Sequence, residues 1–305
     1  MSDNNKTVLA SDLEQKIATA VSGGTRTLRA WRGDKSGGKF EEYTVEVDQG
    51  MVVLDLIHRV QRDKAPDLAC RWNCKAGKCG SCSMEINGKP KLSCMTRLGD
   101  YAPDQVITVQ PMKAFPVIKD LVTDVSWNYE QNKRIAPFTP PPRPADGDYR
   151  MAQVDVDRIQ EFRKCIECFL CQDTCHVLRD QHKKDKFIGP RFMIRVAQLE
   201  MHPLDTIDRI PELKENWGSG YCNITKCCTE VCPEHINITD NGIIPLKERV
   251  VDRYYDPVTI LWRKMFGDKK PKTPHPAPNA PRGGSSPDAG GSTDAAASSG
   301  PPPGK

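Results

Sequence analysis

The amino-acid sequence predicts an α+β fold in two parts: a small mixed sheet packed on one helix, then an all-α unit. Three features point to it. Apolar residues recur with a strand-like period of two through most of residues 25–110, broken once by a helical-period stretch. From about residue 150 to 266 the recurrence is helical, with Pro and Gly at the breaks. The 13 cysteines of this 305-residue chain gather in tight sets, one in the sheet-forming part and two in the helical part.

Residues 1–24 read as a polar extension ending in Ser22-Gly23-Gly24. In the first strand Leu28, Ala30 and Arg32 alternate with Thr27, Arg29 and Trp31, and Gly33 to Gly38 supplies turn chemistry. A second strand sets Tyr43, Val45 and Val47 on one face and Thr44 and Glu46 on the other. Val53, Leu56, Ile57 and Val60 predict a short amphipathic helix over about 51–62. Met84 and Ile86 run into Asn87-Gly88, a strong hairpin signal, and Leu92 follows. A last strand, Val106–Val109, ends before Pro111. Phe115 to Tyr129 reads as a connector with Phe115, Trp127 and Tyr129 as anchors, so this part spans 25–136. Residues 137–149 begin PFTPPPRP, a stiff extended linker. In the unit 150–266, helices are predicted over Asp157–Lys164, from Gly189-Pro190 to Pro203 with Phe192, Val196 and Leu199 on one stripe, and over Ile243–Tyr254, interrupted at Pro245. From 267 to 305 Pro, Gly, Ser, Ala and Asp dominate, the composition of a disordered tail.

The cysteine spacings carry the chemistry. KCIECFLCQDTC places Cys165, Cys168, Cys171 and Cys175 in a C-x2-C-x2-C-x3-C run, and CNITKCCTEVCP holds Cys222, Cys227, Cys228 and Cys232. Three thiols so spaced can wrap three corners of an iron–sulfur cube, and in two-cluster ferredoxins the fourth Cys of the run ligates the other cluster. Cys175 therefore joins the second cluster, and Cys232, just before Pro233, is the reciprocal donor. This assigns Cys165, Cys168, Cys171 and Cys232 to a [4Fe–4S] cluster and leaves Cys175, Cys222 and Cys228 for another. A complete second cube would need a thiol at position 225, where Thr225 stands; a cubane lacking one thiolate readily lacks one iron, so [3Fe–4S] is predicted. Cys227, adjacent to Cys228, is expected to point away. The third set, Cys74, Cys79, Cys82 and Cys94, is C-x4-C-x2-C-x11-C, the plant-type pattern for [2Fe–2S]. It marks the N-terminal part as a plant-type ferredoxin (β-grasp) domain, followed by an all-α two-cluster ferredoxin-like domain. Gly77 and Gly80 let the backbone wrap closely. Arg71, Lys75 and Lys78 flank the loop, as surface or docking cations at least as readily as tuning charges. Cys70 reads as a spare buried thiol.

Other classes fit less well. Disulfide scaffolds are short secreted chains, whereas this N-terminus lacks the apolar core of a secretory signal and carries Asp3, Asp12 and Glu14, which transit peptides avoid. A reducing cytoplasm is the expectation. Zinc fits poorly three sets that reproduce iron–sulfur spacings. A formal net charge of +4 is too weak to argue for nucleic acid, and with no helix-turn-helix a DNA-binding iron–sulfur sensor is disfavoured. No run approaches the ~18 apolar residues of a transmembrane helix. No dinucleotide fingerprint, P-loop or nucleophile elbow is present, and the six histidines show no metal spacing. The chain is expected to carry electrons and to leave substrate chemistry to a partner, with no catalytic residue of its own.

This combination resembles the iron–sulfur subunit of succinate dehydrogenase and fumarate reductase, its bacterial branch, over about residues 25–265. Phe115 to Val122 is similar to the family's connector, Asp185 to Pro190 to its second-domain segment, and RWNCKAGKCGSC and CNITKCCTEVCPEHI to its cluster loops. The resemblance implies a complex: a flavoprotein subunit with FAD interconverting succinate and fumarate, membrane-anchor subunits, and electrons passing through [2Fe–2S], [4Fe–4S] and [3Fe–4S] to quinone. It implies a peripheral position on the cytoplasmic face of the bacterial inner membrane. His176 follows Cys175 where many members have Pro, and Asp180 and Asn223 stand where well-studied members place a Trp and a His near quinone, so the quinone pocket is expected to lie mostly in the anchor. The runner-up is the iron–sulfur subunit of a soluble, non-quinone fumarate reductase or another flavoprotein oxidoreductase.

Overall fold

The computed structural model describes residues 22–267 and 273–274; residues 1–21 and the rest of the C-terminal stretch, where the extension and tail were expected, lie outside the described residues. Strand β1 (Ser22–Asp34) pairs antiparallel with β2 (Gly37–Asp48), with Leu28 opposite Tyr43. It begins inside the stretch read as extension: Ser22 pairs with Asp48, and the register shifts between Ser22 and Thr25. The two glycines that looked like a break are absorbed as an irregularity in the strand. Helix α1 (Val53–Asp63) buries Val53, Leu54, Leu56, Ile57 and Val60, the stripe its spacing predicts. Strands β3 (Ser83–Ile86) and β4 (Lys89–Leu92) flank Asn87 and Gly88, whose φ of +48° and +78° suit a tight hairpin. Strand β5 (Ile107–Gln110) runs parallel to β1 and antiparallel to β3.

The connector is more ordered than its sequence suggests. It contains a hairpin, β6 (Val117–Lys119) and β7 (Val122–Thr123), and helix α2 (Ser126–Arg134). Asp120 holds it in place. This buried residue sits at φ +48° and accepts hydrogen bonds from Arg32 Nε at 3.1 Å, Gly33 N–H at 3.0 Å and Ala69 N–H at 2.8 Å. One carboxylate thus joins β1, the connector and the backbone just ahead of the first cysteine loop. The sheet runs β4-β3-β5-β1-β6-β7, with β2 also on β1.

The second half contains helices α3 (Gln153–Gln160), α4 (Leu170–Asp173), α5 (His176–Arg179) and α6 (Pro190–Glu200). It continues with strand β8 (Ile207–Asp208), α7 (Ile210–Glu215), α8 (Cys227–Glu230), a π-helical turn (Ile238–Ile243), α9 (Ile244–Tyr254) and α10 (Pro257–Phe266). Two expectations need correction. The half is not purely helical, because β9 (Thr273–Pro274) pairs in parallel with β8, inside the stretch read as tail. Pro245 does not interrupt α9; it lies in the first turn, where a missing N–H costs no helical bond. Helix α10 has a legible start that went unused: Pro257 opens it, and the Asp256 carboxylate accepts the Val258 N–H at 2.9 Å.

All described residues belong to one compact unit. Leu54, Leu92 and Phe115 share an apolar cluster with Phe162, Phe192 and Trp217. The Pro-rich stretch is pinned to the second half by Arg209, whose side chain and that of Asp205 are both fully buried, 3.1 Å apart. Arg209 Nη2 donates to the carbonyls of Ala136 at 3.0 Å and Pro137 at 3.1 Å. Removing one member of a buried pair strands the other charge, at a cost of about 3–5 kcal/mol. Arg209→Met is therefore expected to lower stability by about that amount, measured by denaturant unfolding, and to expose the amides of Ala136, Phe138 and Thr139 to faster hydrogen exchange.

Candidate metal centres

The first cysteine loop hangs between α1 and β3. Its backbone turns inward on the sulfurs: the N–H groups of Ala76 and Lys78 point at Cys74 Sγ from 3.3 and 3.4 Å, and that of Cys74 at Cys79 Sγ from 3.5 Å. Such donors stabilise thiolate charge. Burial raises the Cys79 thiol, but hydrogen bonds from Ser81 and Cys74 outweigh it and bring it down to about 6. Cys94 goes the other way, pushed up to about 12 by burial and by its hydrogen bond with Cys82. Cys74 is exposed while Cys82 and Cys94 are buried, so the set runs from the surface into the core. Gly77 and Gly80 both adopt left-handed backbone, at φ +67° and +69°. A Cβ on Gly77 would meet Met95 Cγ at 2.9 Å, and one on Gly80 would meet Cys168 Cα at 2.6 Å. Of the flanking cations, Lys78 bridges to Glu234 at 3.3 Å and Lys75 lies over the Trp72 ring at 4.7 Å, so both have partners within the chain.

The second set begins where the first ends. Ser83 Oγ lies 2.8 Å from the Cys168 carbonyl and 2.7 Å from that of Gly80. The left-handed residues Glu167 and Phe169, at φ +57° and +61°, turn the chain so that Cys165, Cys168 and Cys171 face inward. Burial pushes Cys168 up to about 12 and Cys171 well above its ordinary range. The same charges crowd both: Cys171 feels Cys168, Cys165, Cys228 and Cys232, and Cys168 feels Cys165 and Cys232. The structure therefore brings Cys232 near the Cys165–Cys171 run from 61 or more residues away.

A second cavity is lined by Cys175, Cys222, Thr225, Cys227 and Cys228, with His176 at its edge. Burial raises Cys175 to about 12 and Cys228 to about 11. Cys228 Sγ lies 3.4 Å from Thr239 Oγ1 of the π-helical turn, and Lys247 Nζ donates to the Cys222 carbonyl. Here one expectation is revised. Cys227 does not turn away; it lines the same cavity, 3.4 Å from Thr225 Oγ1, and its charge is felt by Cys175 and Cys228. The reason is local. Lys226 is left-handed at φ +61° and α8 starts at Cys227, so residues 227 and 228 sit about 100° apart on a helix, not on opposite faces of an extended chain. Cys70 is half-buried between the two apolar clusters, its thiol raised to about 12 by burial.

The donor sets fit iron–sulfur groups on chemistry. Each is made of thiols, and burial raises the deep ones, so that a metal taking the proton's place would stabilise their thiolates. Among the described residues, no three His, Cys, Asp or Glu close on one point as ligands of a single ion. The partners that sequence reading missed, Ser83, Gly80's contact with Cys168, and Thr239, all depend on long-range packing that spacing does not encode. Gly80→Ala would force an L residue into φ +69° against the Cys168 backbone. The expected result is a cost of about 1–3 kcal/mol and hydrogen exchange rising together at residues 79–83 and 166–169.

Residues 27–130 match the family model of the 2Fe-2S iron-sulfur cluster binding domain, and residues 161–236 that of the 4Fe-4S dicluster domain. The chain is 33% identical over 208 residues to the fumarate reductase iron-sulfur subunit of Mycobacterium tuberculosis (strain CDC 1551 / Oshkosh), covering 67% of this chain and 83% of that protein. It is 28% identical over 236 residues to the succinate dehydrogenase iron-sulfur subunit of Paracoccus denitrificans, covering 75% and 89%. A solved chain from the Mycobacterium smegmatis Sdh1 complex in the apo form aligns with TM-score 0.75 and 63% identity over 77% of this chain and 99% of that one. The chain thus belongs to the iron–sulfur subunits of succinate dehydrogenase and fumarate reductase, the electron-transfer members of those oxidoreductases.

Proposed function

We propose that this subunit relays electrons between the FAD of a flavoprotein partner and quinone at membrane-anchor subunits. In this reading Cys74, Cys79, Cys82 and Cys94 hold [2Fe–2S], Cys165, Cys168, Cys171 and Cys232 hold [4Fe–4S], and Cys175, Cys222 and Cys228 hold [3Fe–4S]. When bound, the three clusters supply one-electron carriers whose potentials the protein sets. The observation that carries the proposal is that the thiol sets abut in series. Gly80 and Ser83 of the first loop touch Cys168 of the second set, and Cys171 of the second feels Cys228 of the third. No gap of irregular chain separates them.

The N-terminal half is read as a β-grasp domain; the parallel β1–β5 pair, with α1 buried against the sheet, supports this. We assign residues 25–136, the 137–149 stretch and 150–266 as its structural segments. Beside the exposed Cys74, Trp72 is 46% and Met95 58% exposed, an apolar rim suited to a flavoprotein docking at this end. The far end, the Cys175–Cys228 cavity, would face anchor and quinone. The subunit would sit peripherally on the cytoplasmic face of the inner membrane; no described helix is long and apolar enough to cross a bilayer. A soluble, non-quinone partner complex is the less favoured reading, because the 63%-identical neighbour belongs to an Sdh1 complex.

Low-temperature EPR of the isolated complex tests the proposal. The oxidised sample is expected to show a [3Fe–4S] signal that vanishes on reduction as [2Fe–2S] and [4Fe–4S] signals appear; a second [4Fe–4S] signal in its place would make Cys227 a fourth ligand. Cys228→Ala should abolish the [3Fe–4S] signal and quinone reduction while succinate oxidation by a flavin-level acceptor survives. The opposite pattern would overturn the assignment. Thr225→Cys places a thiol at the vacant corner and is expected to convert the third signal to [4Fe–4S], lowering its midpoint in a redox titration.

A further inference from the structure

We propose that α10 is an interfacial helix that lies in the headgroup layer of an anionic lipid leaflet, with Val258, Leu261, Trp262, Met265 and Phe266 among the acyl chains. These side chains are 55–75% exposed, and at helical spacing they form one stripe. The half-buried residues are Thr259, Ile260 and Arg263: Thr259 hydrogen-bonds the helix's own cap, Asp256, and Arg263 Nη1 donates to the Arg253 carbonyl of α9 at 3.5 Å. The helix has no buried residue. Most of its apolar side chains therefore face away from its own protein, and a stripe of this size marks an interaction surface.

Charge selects the occupant. Residues 257–272 hold Arg263, Lys264, Lys269, Lys270 and Lys272 against Asp268 alone, so this one segment matches the +4 net charge of the whole chain. Lipid phosphates of an anionic leaflet attract such a basic segment beside an apolar stripe. The Trp262 and Phe266 rings pair at 4.3 Å between centroids, and aromatic rings favour the membrane–water boundary. At ten residues the helix reaches only ~15 Å, too short to span and suited to lying flat. Through α9 it connects to the π-helical turn that lines the Cys175–Cys228 cavity. Its placement at the quinone end rests on the function proposed above; the lipid contact itself does not.

The test is a photo-crosslinking residue at position 262 in the complete complex, reconstituted in phosphatidylglycerol or in phosphatidylcholine bilayers. The expected result is a phospholipid adduct, roughly 5-fold weaker in the neutral lipid and weakened likewise when Lys264, Lys269, Lys270 and Lys272 are replaced by Gln. Unchanged cluster EPR in each variant shows that the subunit is intact. An adduct to an anchor polypeptide, no lipid adduct, or equal yields in both lipids overturns the proposal. A failed relay would show as a lost [3Fe–4S] signal with the lipid adduct still present, so the two readings fail separately.

Discussion

A thiolate removed from water needs a cation beside it, and the second half of this protein is built on that constraint. Burial raises Cys168, Cys171, Cys175 and Cys228, and the charges nearest to them are other thiols. A bound metal would offset that cost by displacing the proton and binding the sulfur directly. The short helices α4, α5 and α8, none longer than four residues, could not be stable on propensity alone. They are turns that present thiols, and their apolar neighbours Phe162, Phe187 and Phe192 seal the gaps between the sets.

The N-terminal half follows a different logic. Its core, Leu28, Val47, Leu56, Ile57 and Ile107, closes without Cys74, Cys79, Cys82 or Cys94, with only Cys70 packed at its margin. That division explains the contact between the halves. Ser83, at the start of β3, and Gly80, in the loop just before it, meet Cys168, so the contact between the first two thiol sets is made where the loop joins the sheet. Glu85 strengthens the junction: it is fully buried on β3 and pairs with Lys113 at 3.5 Å and with Arg179 of α5 at 3.4 Å.

Much of this was legible in the chain. Period-two and helical patterns located β1, β2, α1 and β5, where one face meets a core, and β4; β3 and α6 are buried nearly all round and show as apolar runs. The cysteine spacings located the thiol sets because ligand geometry restricts spacing so tightly. What the sequence hid has physical causes. The β6–β7 hairpin and α2 are short and polar; a buried carboxylate, Asp120, orders them rather than apolar periodicity. Adjacency alone does not place Cys227: the left-handed Lys226 starts a helix there, so neighbouring side chains diverge by only about 100°. The Pro-rich stretch reads as a spacer until Arg209 is seen from the other side.

The two ends of the thiol series are unlike, and the difference gives the relay a direction in space. At the Cys74 end the exposed apolar groups, Trp72 and Met95, stand apart and share the surface with paired cations, as at a protein–protein interface where an apolar centre meets a polar rim. Beyond the Cys175–Cys228 end, α9 leads to a helix whose whole outer stripe is apolar and whose flank is cationic, the pattern of a water–lipid boundary. A protein that only shuttled electrons in solution would gain nothing from that asymmetry and would risk aggregation through α10. A subunit fixed between a soluble flavoprotein and a membrane needs both surfaces, one at each end of its electron path.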